Sequence, residues 1–225
     1  MAFETFISLF KQLFQGFEFT LGIFIFTLLF SLPLGLLISR GRMAKNIFVN
    51  VATRMYISIM RGTPLMLQLL LVYFGPYYLF GVTTGDINIG PFNYRFIATV
   101  IGFSLNYAAY FAEIFRGGIQ SMPKGQYEAA QVLGFTKMQT YFKIILPQVV
   151  KRVLPSVTNE VITLVKDTSL AQVLAVTEMF TVAKNLASAQ VSVIPFVAAG
   201  IFYYVFNAIV SVVMTRIEKS MSYYS

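Results

Sequence analysis

The sequence lacks two residue types on which much enzyme chemistry depends, because its 225 residues include no cysteine and no histidine. Without cysteine there is no thiol nucleophile and no disulfide, and without either residue the usual zinc sites cannot form. Imidazole acid–base catalysis is excluded as well. The sequence therefore predicts neither an enzyme of these classes nor a protein with a metal site.

Charged residues are also scarce, at 12% of the chain against about 25% in an ordinary soluble domain, whereas 57% of the residues are hydrophobic. Several apolar runs, such as residues 19–39, have about the 20 residues that a helix needs to cross a bilayer. This composition predicts an all-α membrane protein that forms a single domain over residues 1–225. The five expected spans are at about 17–39, 62–80, 94–115, 154–176 and 193–214.

The basic residues are distributed unevenly between the predicted loops. Thirteen of the seventeen lysines and arginines fall in segments 40–61 and 116–152 or in the C-terminal tail, and three fall in the opposite loops. The positive-inside rule then places the basic segments in the cytoplasm, with the N-terminus outside and the C-terminus inside. Because topology accounts for the net charge of +8, nucleic-acid binding is not expected.

The regions expected on the outer side have two features. Residues 1–16 carry apolar side chains at helical spacing, which predicts an amphipathic helix lying in the outer interface of the membrane. A cleaved signal peptide is not expected, because this start contains acidic residues and no basic leader. Residues 80–93, rich in glycine and asparagine, predict a turn-rich loop.

The longest inner loop, residues 117–152, is polar and basic but contains two short helical stretches. Gly134 is expected to end the first stretch, and Leu146-Pro147 the second. The apolar side chains of these stretches exceed what a connecting loop needs. The loop is therefore predicted to dock against another protein.

The residue spacing in this loop resembles the signature of the permease subunits of ABC importers, which is Glu-Ala-Ala, three residues, Gly, nine residues, Ile, one residue, Leu-Pro. Segments 61–69, 108–130 and 164–170 resemble the polar amino acid uptake branch of that family, and the likeness extends from about Phe17 to the end of the chain. The matching residues are Glu128, Ala129, Ala130, Gly134, Ile144, Leu146 and Pro147.

The resemblance implies a type I ABC importer permease fold, in which residues 128–134 form a cytoplasmic coupling helix that seats in a groove of an ATPase subunit. It also implies a second permease chain, either a copy or a sister, a cytoplasmic ATPase dimer that binds ATP and Mg²⁺, and an external solute-binding protein. The expected location is the bacterial inner (plasma) membrane, and the expected substrate is a polar amino acid.

The chain itself has no recognisable site for ATP hydrolysis. It contains no G-x-x-x-x-G-K-[ST] P-loop, so the ATP of an importer must be bound by a partner. Lys166-Asp167-Thr168 differs from the Asp-Lys-Thr-Gly of aspartyl-phosphate pumps, which lies in a large soluble domain. We therefore expect this chain to have no cofactor and no enzymatic activity of its own.

The fourth predicted span is unusually polar, and its polar face is expected to line a cavity or a subunit interface. A second polar stripe lies on the third span and could face the same pathway. The candidate substrate-binding residues are Ser156, Asn159, Glu160, Thr163 and Asp167 on the fourth span, with Asn106 and Tyr110 on the third.

Glu160 is the candidate that would select the substrate. No basic residue lies three or four positions away on its helix, and a buried carboxylate without a partner tends to take up a proton. We hypothesise that Glu160 binds the cationic side chain of arginine, lysine or histidine. The alternative is a structural hydrogen bond between spans, with glutamine, glutamate or cystine as the substrate.

Two further groups are predicted to shape a gate or the structure. A helix break at 61–64 would expose backbone amides that can bind a substrate carboxylate, or it would form a gate near the cytoplasm. An acidic and a basic residue three positions apart on the third span predict a structural ion pair. These residues are Arg61, Gly62, Thr63 and Pro64, and the pair Glu113 and Arg116.

Two other classes of membrane protein stay open at this point. An ion-coupled amino acid carrier would also place charges in its spans, but it would have no use for a loop that fits an ATPase. A membrane scaffold without transport activity would use docking helices, but it would not need a polar face on its fourth span.

Overall fold

The computed structural model describes residues 2–82, 88–89 and 92–221, and most of them are helical. Two short strands, β1 (Asn88–Ile89) and β2 (Phe92–Asn93), pair antiparallel within the predicted outer loop, whose residues 83–87 and 90–91 lie outside the described chain. The helices are α1 (Ala2–Arg42), α2 (Ile47–Gly62), α3 (Leu65–Phe80), α4 (Tyr94–Gln120), α5 (Lys124–Val132), α6 (Lys137–Gln139), α7 (Leu146–Asp167), α8 (Met179–Gln190) and α9 (Ile194–Ser220).

The first helix is longer than the first predicted span. Residues 2–42 form α1 without a break, so residues 2–16 are helical and continue directly into the first predicted span. The location of residues 1–16 in the outer interface stays a prediction. The difference in length arises from packing, because Leu9 and Leu13 are buried against α8 and α9. The start of α1 is therefore part of the core of the domain.

A bend of 112° separates α2 from α3. Pro64 precedes the first residue of α3, and it has no N–H group with which to continue α2. Thr63 is extended, with φ −120° and ψ 150°, as expected for a residue before proline. The helix break predicted at 61–64 is confirmed.

Helix α2 occupies residues that the search for apolar runs assigned to a loop. Asn46 begins it, and its side-chain oxygen accepts a hydrogen bond of 2.9 Å from the Phe48 N–H group. Its polar and apolar residues alternate at helical spacing, so no run is long enough to predict a span. Tyr56 joins this helix to α4 through a 2.6 Å hydrogen bond from its hydroxyl to the Leu105 carbonyl.

The connection between α4 and α7 is shorter than the predicted inner loop, and its second helical stretch does not end at Leu146-Pro147. Residues 137–167 form one helical path, from α6 through a π-helical turn at Thr140–Ile145 into α7. The Leu146 N–H group donates to the Tyr141 carbonyl, five residues earlier. Pro147 therefore lies in the first turn of α7, where its missing N–H is tolerated.

The core is centred on the packing of α1 against α4. These helices approach closely at Gly35, where a Cβ atom would lie 2.8 Å from Cβ of Phe111 and 3.1 Å from the carbonyl oxygen of Ala108. Phe103, Tyr107 and Phe111 are buried along the same side of α4. Helix α7 packs against α4 as well, so α4 lies between the two helices.

Helix α8 follows a 3₁₀ turn at Thr168–Leu174 and was not predicted. The fully buried Glu178 caps it, accepting hydrogen bonds of 2.7 Å from the N–H groups of Phe180 and Thr181 and one of 3.0 Å from the Tyr203 hydroxyl. Thr20 of α1 accepts a hydrogen bond from the Met179 N–H group at 3.1 Å. The start of α8 is thereby fixed to both α1 and α9.

Three helices within the described residues are long and apolar enough to cross a membrane, namely α1 from Ile7, α4 and α9. Helices α2 and α3 would supply a fourth span if the bent pair counts as one. Helix α7 is not in this set, because its polar residues lower its hydropathy. The count of five spans therefore stays a prediction.

Candidate solute cavity and docking loop

A cavity of about 140 Å³ lies between the α2–α3 bend, α4 and α7, and we call it the polar cavity. It is far larger than the ~15 Å³ that one water molecule requires. Its lining residues that were not predicted to bind substrate are Thr63, Leu65 and Tyr107. The predicted substrate-binding residues that line it are Asn106, Tyr110, Glu160, Thr163 and Asp167.

Two carboxyl groups line the polar cavity. Glu160 and Asp167 are both partly buried, and Oδ2 of Asp167 accepts a 2.8 Å hydrogen bond from the Tyr107 hydroxyl. In the part of the chain that the structure describes, the side-chain ion pairs involve other residues. Neither carboxyl group of the polar cavity is therefore neutralised by a salt bridge within the described residues.

Gln68, which sequence analysis did not single out, connects the bend to α4. Its Nε2 donates to the carbonyl oxygens of Met60 at 2.9 Å and Thr63 at 3.1 Å, while its Oε1 accepts from Nδ2 of Asn106 at 2.9 Å. The Asn106 amide also donates to the Met60 carbonyl at 3.0 Å. Both Asn106 amide hydrogens thus support the bend. A single glutamine within an otherwise apolar run was the available signal.

Arg61 lies at the edge of the polar cavity, stacked on one of its walls. Its guanidinium carbon is 5.2 Å from the centre of the Tyr110 ring, which is a cation–π contact. The arginine is exposed, and the Tyr110 ring on which it rests lines the cavity together with Glu160. A basic group therefore flanks the cavity without forming a salt bridge to its carboxyl groups.

Glu113 lies one helical turn beyond Tyr110 on α4, and it binds two arginines. Its Oε2 is 2.6 Å from Nη2 of Arg116, and its Oε1 is 3.8 Å from Nε of Arg42. The contact predicted between Glu113 and Arg116 is therefore present. Arg42, from the end of α1, extends it into a link between two helices, which is consistent with a structural role.

Ser156 and Asn159 do not line the polar cavity, although both belong to the predicted polar face of α7. Ser156 lines a separate hollow of about 310 Å³, together with Glu113 and Arg152. Asn159 is exposed, and its carbonyl accepts a 2.9 Å hydrogen bond from the Thr163 hydroxyl. The polar face is wider than the cavity, and the structure brings only part of it to the candidate site.

The segment between α4 and α7, residues 121–145, forms what we call the EAA loop. Gly134 has a left-handed φ of +77° and ends α5, as predicted. Two hydrogen bonds of 3.0 Å close this end, from the Gly134 N–H group to the Gln131 carbonyl and from the Phe135 N–H group to the Ala130 carbonyl. Glycine is suited to this position because it has no Cβ atom.

The end of α5 presents apolar side chains to the surroundings. Val132 is 88% exposed and Leu133 72%, Glu128 and Ala129 on the same helix are exposed, and Met138 on α6 is 67% exposed. Neighbouring exposed apolar residues typically mark a protein contact. Among the other residues of the motif, Gly134 is exposed, whereas Ala130, Ile144, Leu146 and Pro147 are buried or partly buried.

A family model described as "Binding-protein-dependent transport system inner membrane component" matches residues 12–223, a range that includes the polar cavity and the EAA loop. The chain belongs to this family. It is accordingly an inner-membrane permease subunit of an importer, and family membership implies an ATPase and a binding protein as partners. The chain is a transport component rather than an enzyme, as predicted.

Similar proteins cover nearly the whole permease. The probable amino-acid permease protein YxeN of Bacillus subtilis (strain 168) is 36% identical over 97% of this chain and 95% of its own length. The L-cystine transport system permease protein TcyB of the same strain is 34% identical over 93% of this chain and 86% of its own length. The resemblance to ABC permeases of the polar amino acid uptake branch is therefore confirmed.

A solved structure supports the predicted fold. The permease superposes on the crystal structure of an amino acid ABC transporter with histidines with a TM-score of 0.84 and 28% identity, covering 98% of this chain and 99% of that chain. The likeness extends to the whole helical arrangement described above. Together with the family assignment, it favours a binding-protein-dependent permease over the ion-coupled carrier and the membrane scaffold.

Proposed function

We propose that this permease imports basic amino acids, with arginine, lysine and histidine as the candidate substrates. The observation that carries the proposal is the pair of carboxyl groups, Glu160 and Asp167, in the polar cavity. Their charge would be compensated best by a solute that brings a cation into the cavity. Glu160 would bind the cationic side chain, and Tyr107 would hold Asp167 beside it.

The α-carboxylate of the solute would bind at the part of the cavity wall that the α2–α3 bend forms. Thr63 and Leu65 line the cavity there, and Leu65 is the first residue of α3. The N–H groups in the first turn of a helix have no partners within that helix, and the N-terminal end of its dipole attracts anions. A zwitterionic solute would thus lie between this helix end and Glu160.

The permease would function within an assembly of five spans per chain, with the N-terminus outside and the C-terminus in the cytoplasm. Two permease chains would enclose the pathway, and an external solute-binding protein would deliver the amino acid. Two ATPase subunits would bind ATP and Mg²⁺, and each would bind one EAA loop. Closure of the ATPase pair would then displace α7, because the helical path from residue 137 to 167 is continuous and transmits the movement.

The similar proteins support this substrate class and also an alternative. The solved relative is described as an amino acid transporter with histidines, which fits a cationic solute. The cystine permease, in contrast, favours import of cystine as a second candidate function. Glutamine and glutamate remain further alternatives, and in each of these cases Glu160 would make a structural hydrogen bond.

The test is solute-stimulated ATPase activity of the reconstituted importer, with its ATPase and binding protein in liposomes. Arginine, lysine and histidine are compared with glutamine, glutamate and cystine. We expect the cationic amino acids to stimulate the wild type, and Glu160→Gln to reduce that stimulation at least tenfold, because a hydrogen bond to a charged group contributes roughly 1.5–3 kcal/mol. Basal hydrolysis should persist.

Glu18→Gln provides the matched control, because Glu18 is an exposed carboxylate on α1 that lies outside the polar cavity. It should respond to arginine like the wild type. Stimulation by neutral or acidic amino acids alone, or an unchanged arginine response in Glu160→Gln, would show that the carboxyl group is structural.

A further inference from the structure

We infer that Arg61 acts as a tethered counter-cation of the solute site, which competes with a cationic solute for Glu160 and promotes release of that solute. This inference rests on the proposed function, since it requires a solute with a positive charge. It assigns to Arg61 a role in the turnover of the importer.

The position of Arg61 fits a group that can approach the site and withdraw. The arginine is the second-last residue of α2, and the carbonyl oxygens of Met60 and Thr63 on either side are held by Gln68. Its backbone is therefore fixed beside the polar cavity. Its side chain is exposed and rests on Tyr110, so the guanidinium group is held by a ring contact that can break without unfolding the bend.

The charges on the two sides of Arg61 differ in how well they are compensated. Glu113 is already paired with Arg116 at 2.6 Å and with Arg42 at 3.8 Å. Glu160 has no such salt bridge within the described residues, and it lines the same cavity as Tyr110, on which Arg61 rests. Arg61 is therefore a basic group that can balance Glu160 while the site is empty, whereas Lys166 directly precedes Asp167 in the chain.

A cationic solute changes this balance. Its positive charge at Glu160 would repel the guanidinium group, and the exposure of Arg61 to solvent would moderate this repulsion without abolishing it. Arg61 would then turn away from Tyr110, towards the acidic Glu113. When the solute departs, Arg61 can return, so the empty site does not keep an uncompensated carboxylate at membrane depth.

The consequence is a trade-off between affinity and turnover. A tethered cation weakens equilibrium binding of a cationic solute and speeds its dissociation. The affinity and the dissociation rate of a neutral solute change little. Tight binding alone does not serve transport, because a solute that binds too strongly leaves slowly. Arg61 would thus adjust the site for release.

The test measures binding of radiolabelled arginine to the permease–ATPase complex in nanodiscs, without ATP, together with the maximal rate of uptake into liposomes. For Arg61→Gln we expect arginine to bind about tenfold more tightly, to dissociate more slowly, and to be taken up at a lower maximal rate. Arg61→Lys should stay close to the wild type. Glutamine serves as the neutral probe, whose binding should not tighten.

Arg54→Gln is the matched control, because Arg54 is an exposed arginine two turns earlier on α2. It should bind arginine like the wild type. If Arg61→Gln fails to assemble, Arg61→Met removes the same charge and keeps an unbranched stem. Weaker or unchanged arginine binding in the neutral variants would overturn the role of Arg61, but it would not contradict the proposal that the substrate is a basic amino acid. A wild type that binds only glutamine would overturn both.

Discussion

At the residue scale, the shape of the candidate site depends on Gln68, although this glutamine does not line the polar cavity. Gln68 is buried, and its amide reaches Met60 and Thr63 on one side of the bend and Asn106 on the other. These bonds satisfy carbonyl groups that the break between α2 and α3 leaves without helical partners. The bend, and with it the wall that carries Thr63, is thus held to α4.

Replacing Gln68 by methionine should lower both stability and transport. The variant keeps the size of the side chain, but it leaves carbonyl groups and the Asn106 amide short of partners, which costs about 1–3 kcal/mol for each buried group that is left unsatisfied. We expect a lower midpoint of thermal unfolding for the purified permease and a loss of solute-stimulated ATPase activity. Gln190→Met, at an exposed position at the end of α8, is the control. Equal unfolding midpoints for the two variants would contradict the role assigned to Gln68.

Sequence alone predicts the candidate site in part, and the limits are physical. Polar residues within apolar spans identified Glu160, Thr163 and Asp167, because such residues rarely face lipid. Helical spacing gives a face but not its partner, so Ser156 and Asn159 were included although the cavity does not extend to them. Tyrosines are common in this chain, and nothing local distinguishes Tyr107 from its neighbours.

At the scale of helices, prediction succeeds where a local rule determines the conformation. Gly134 ends α5 because the left-handed backbone favours glycine, and proline sets the bend before α3. Helices α2 and α8 were missed because their stability comes from packing and from caps such as Glu178. The junction at Pro147 was misjudged, since a π-helical turn lets the helix continue.

Gly134 offers a test of the EAA loop that leaves the membrane core untouched. Its φ of +77° is strongly disfavoured for a β-branched residue, and nothing lies within 4 Å of the position that a Cβ atom would take. Gly134→Val should therefore distort the end of α5 through the backbone alone, at a cost of roughly 1–2 kcal/mol. Val132 and Leu133 would then be presented differently, so we expect weaker co-purification of the ATPase and a several-fold loss of solute-stimulated hydrolysis.

Asparagine tolerates the left-handed conformation better than other residues with a Cβ atom, so Gly134→Asn should retain most of the coupling. Gly125→Val, near the start of α5 and with a similarly open surrounding, controls for added bulk in the loop. Strong coupling in Gly134→Val would mean that the conformation of this helix end is not needed for docking.

At the scale of the whole molecule, the open question is how the helices are threaded through the membrane. Composition identifies α1, α4 and α9 as spanning helices, whereas α2 and α3 can be read as a broken span or a re-entrant pair. Hydropathy is equally ambiguous about whether α7 crosses the membrane, because the polar residues that line the cavity make this helix less apolar. The basic residues favour five spans, with the EAA loop inside.

The absence of cysteine makes this threading directly measurable, since any single cysteine introduced is the only thiol of the chain. Five described and exposed positions lie at or close to the ends of helices along the chain. A five-span chain with its N-terminus outside should react with a membrane-impermeant maleimide in intact spheroplasts at Val82 and Ser188 only. Cysteines at Lys45, Ser121 and Ser220 should react only after permeabilisation.

Each pair of neighbouring positions tests one crossing, so the labelling pattern identifies which helix is misplaced. If the cysteines at Lys45 and Val82 react from the same side, α2 and α3 form a re-entrant loop rather than a broken span. If those at Ser121 and Ser188 share a side, α7 does not cross, and the polar cavity cannot belong to a transmembrane pathway. The unmodified chain provides the background, and solute uptake by each variant ensures that the labelled protein is correctly folded. Alternating reactivity at all five positions is the result that the charge distribution predicts.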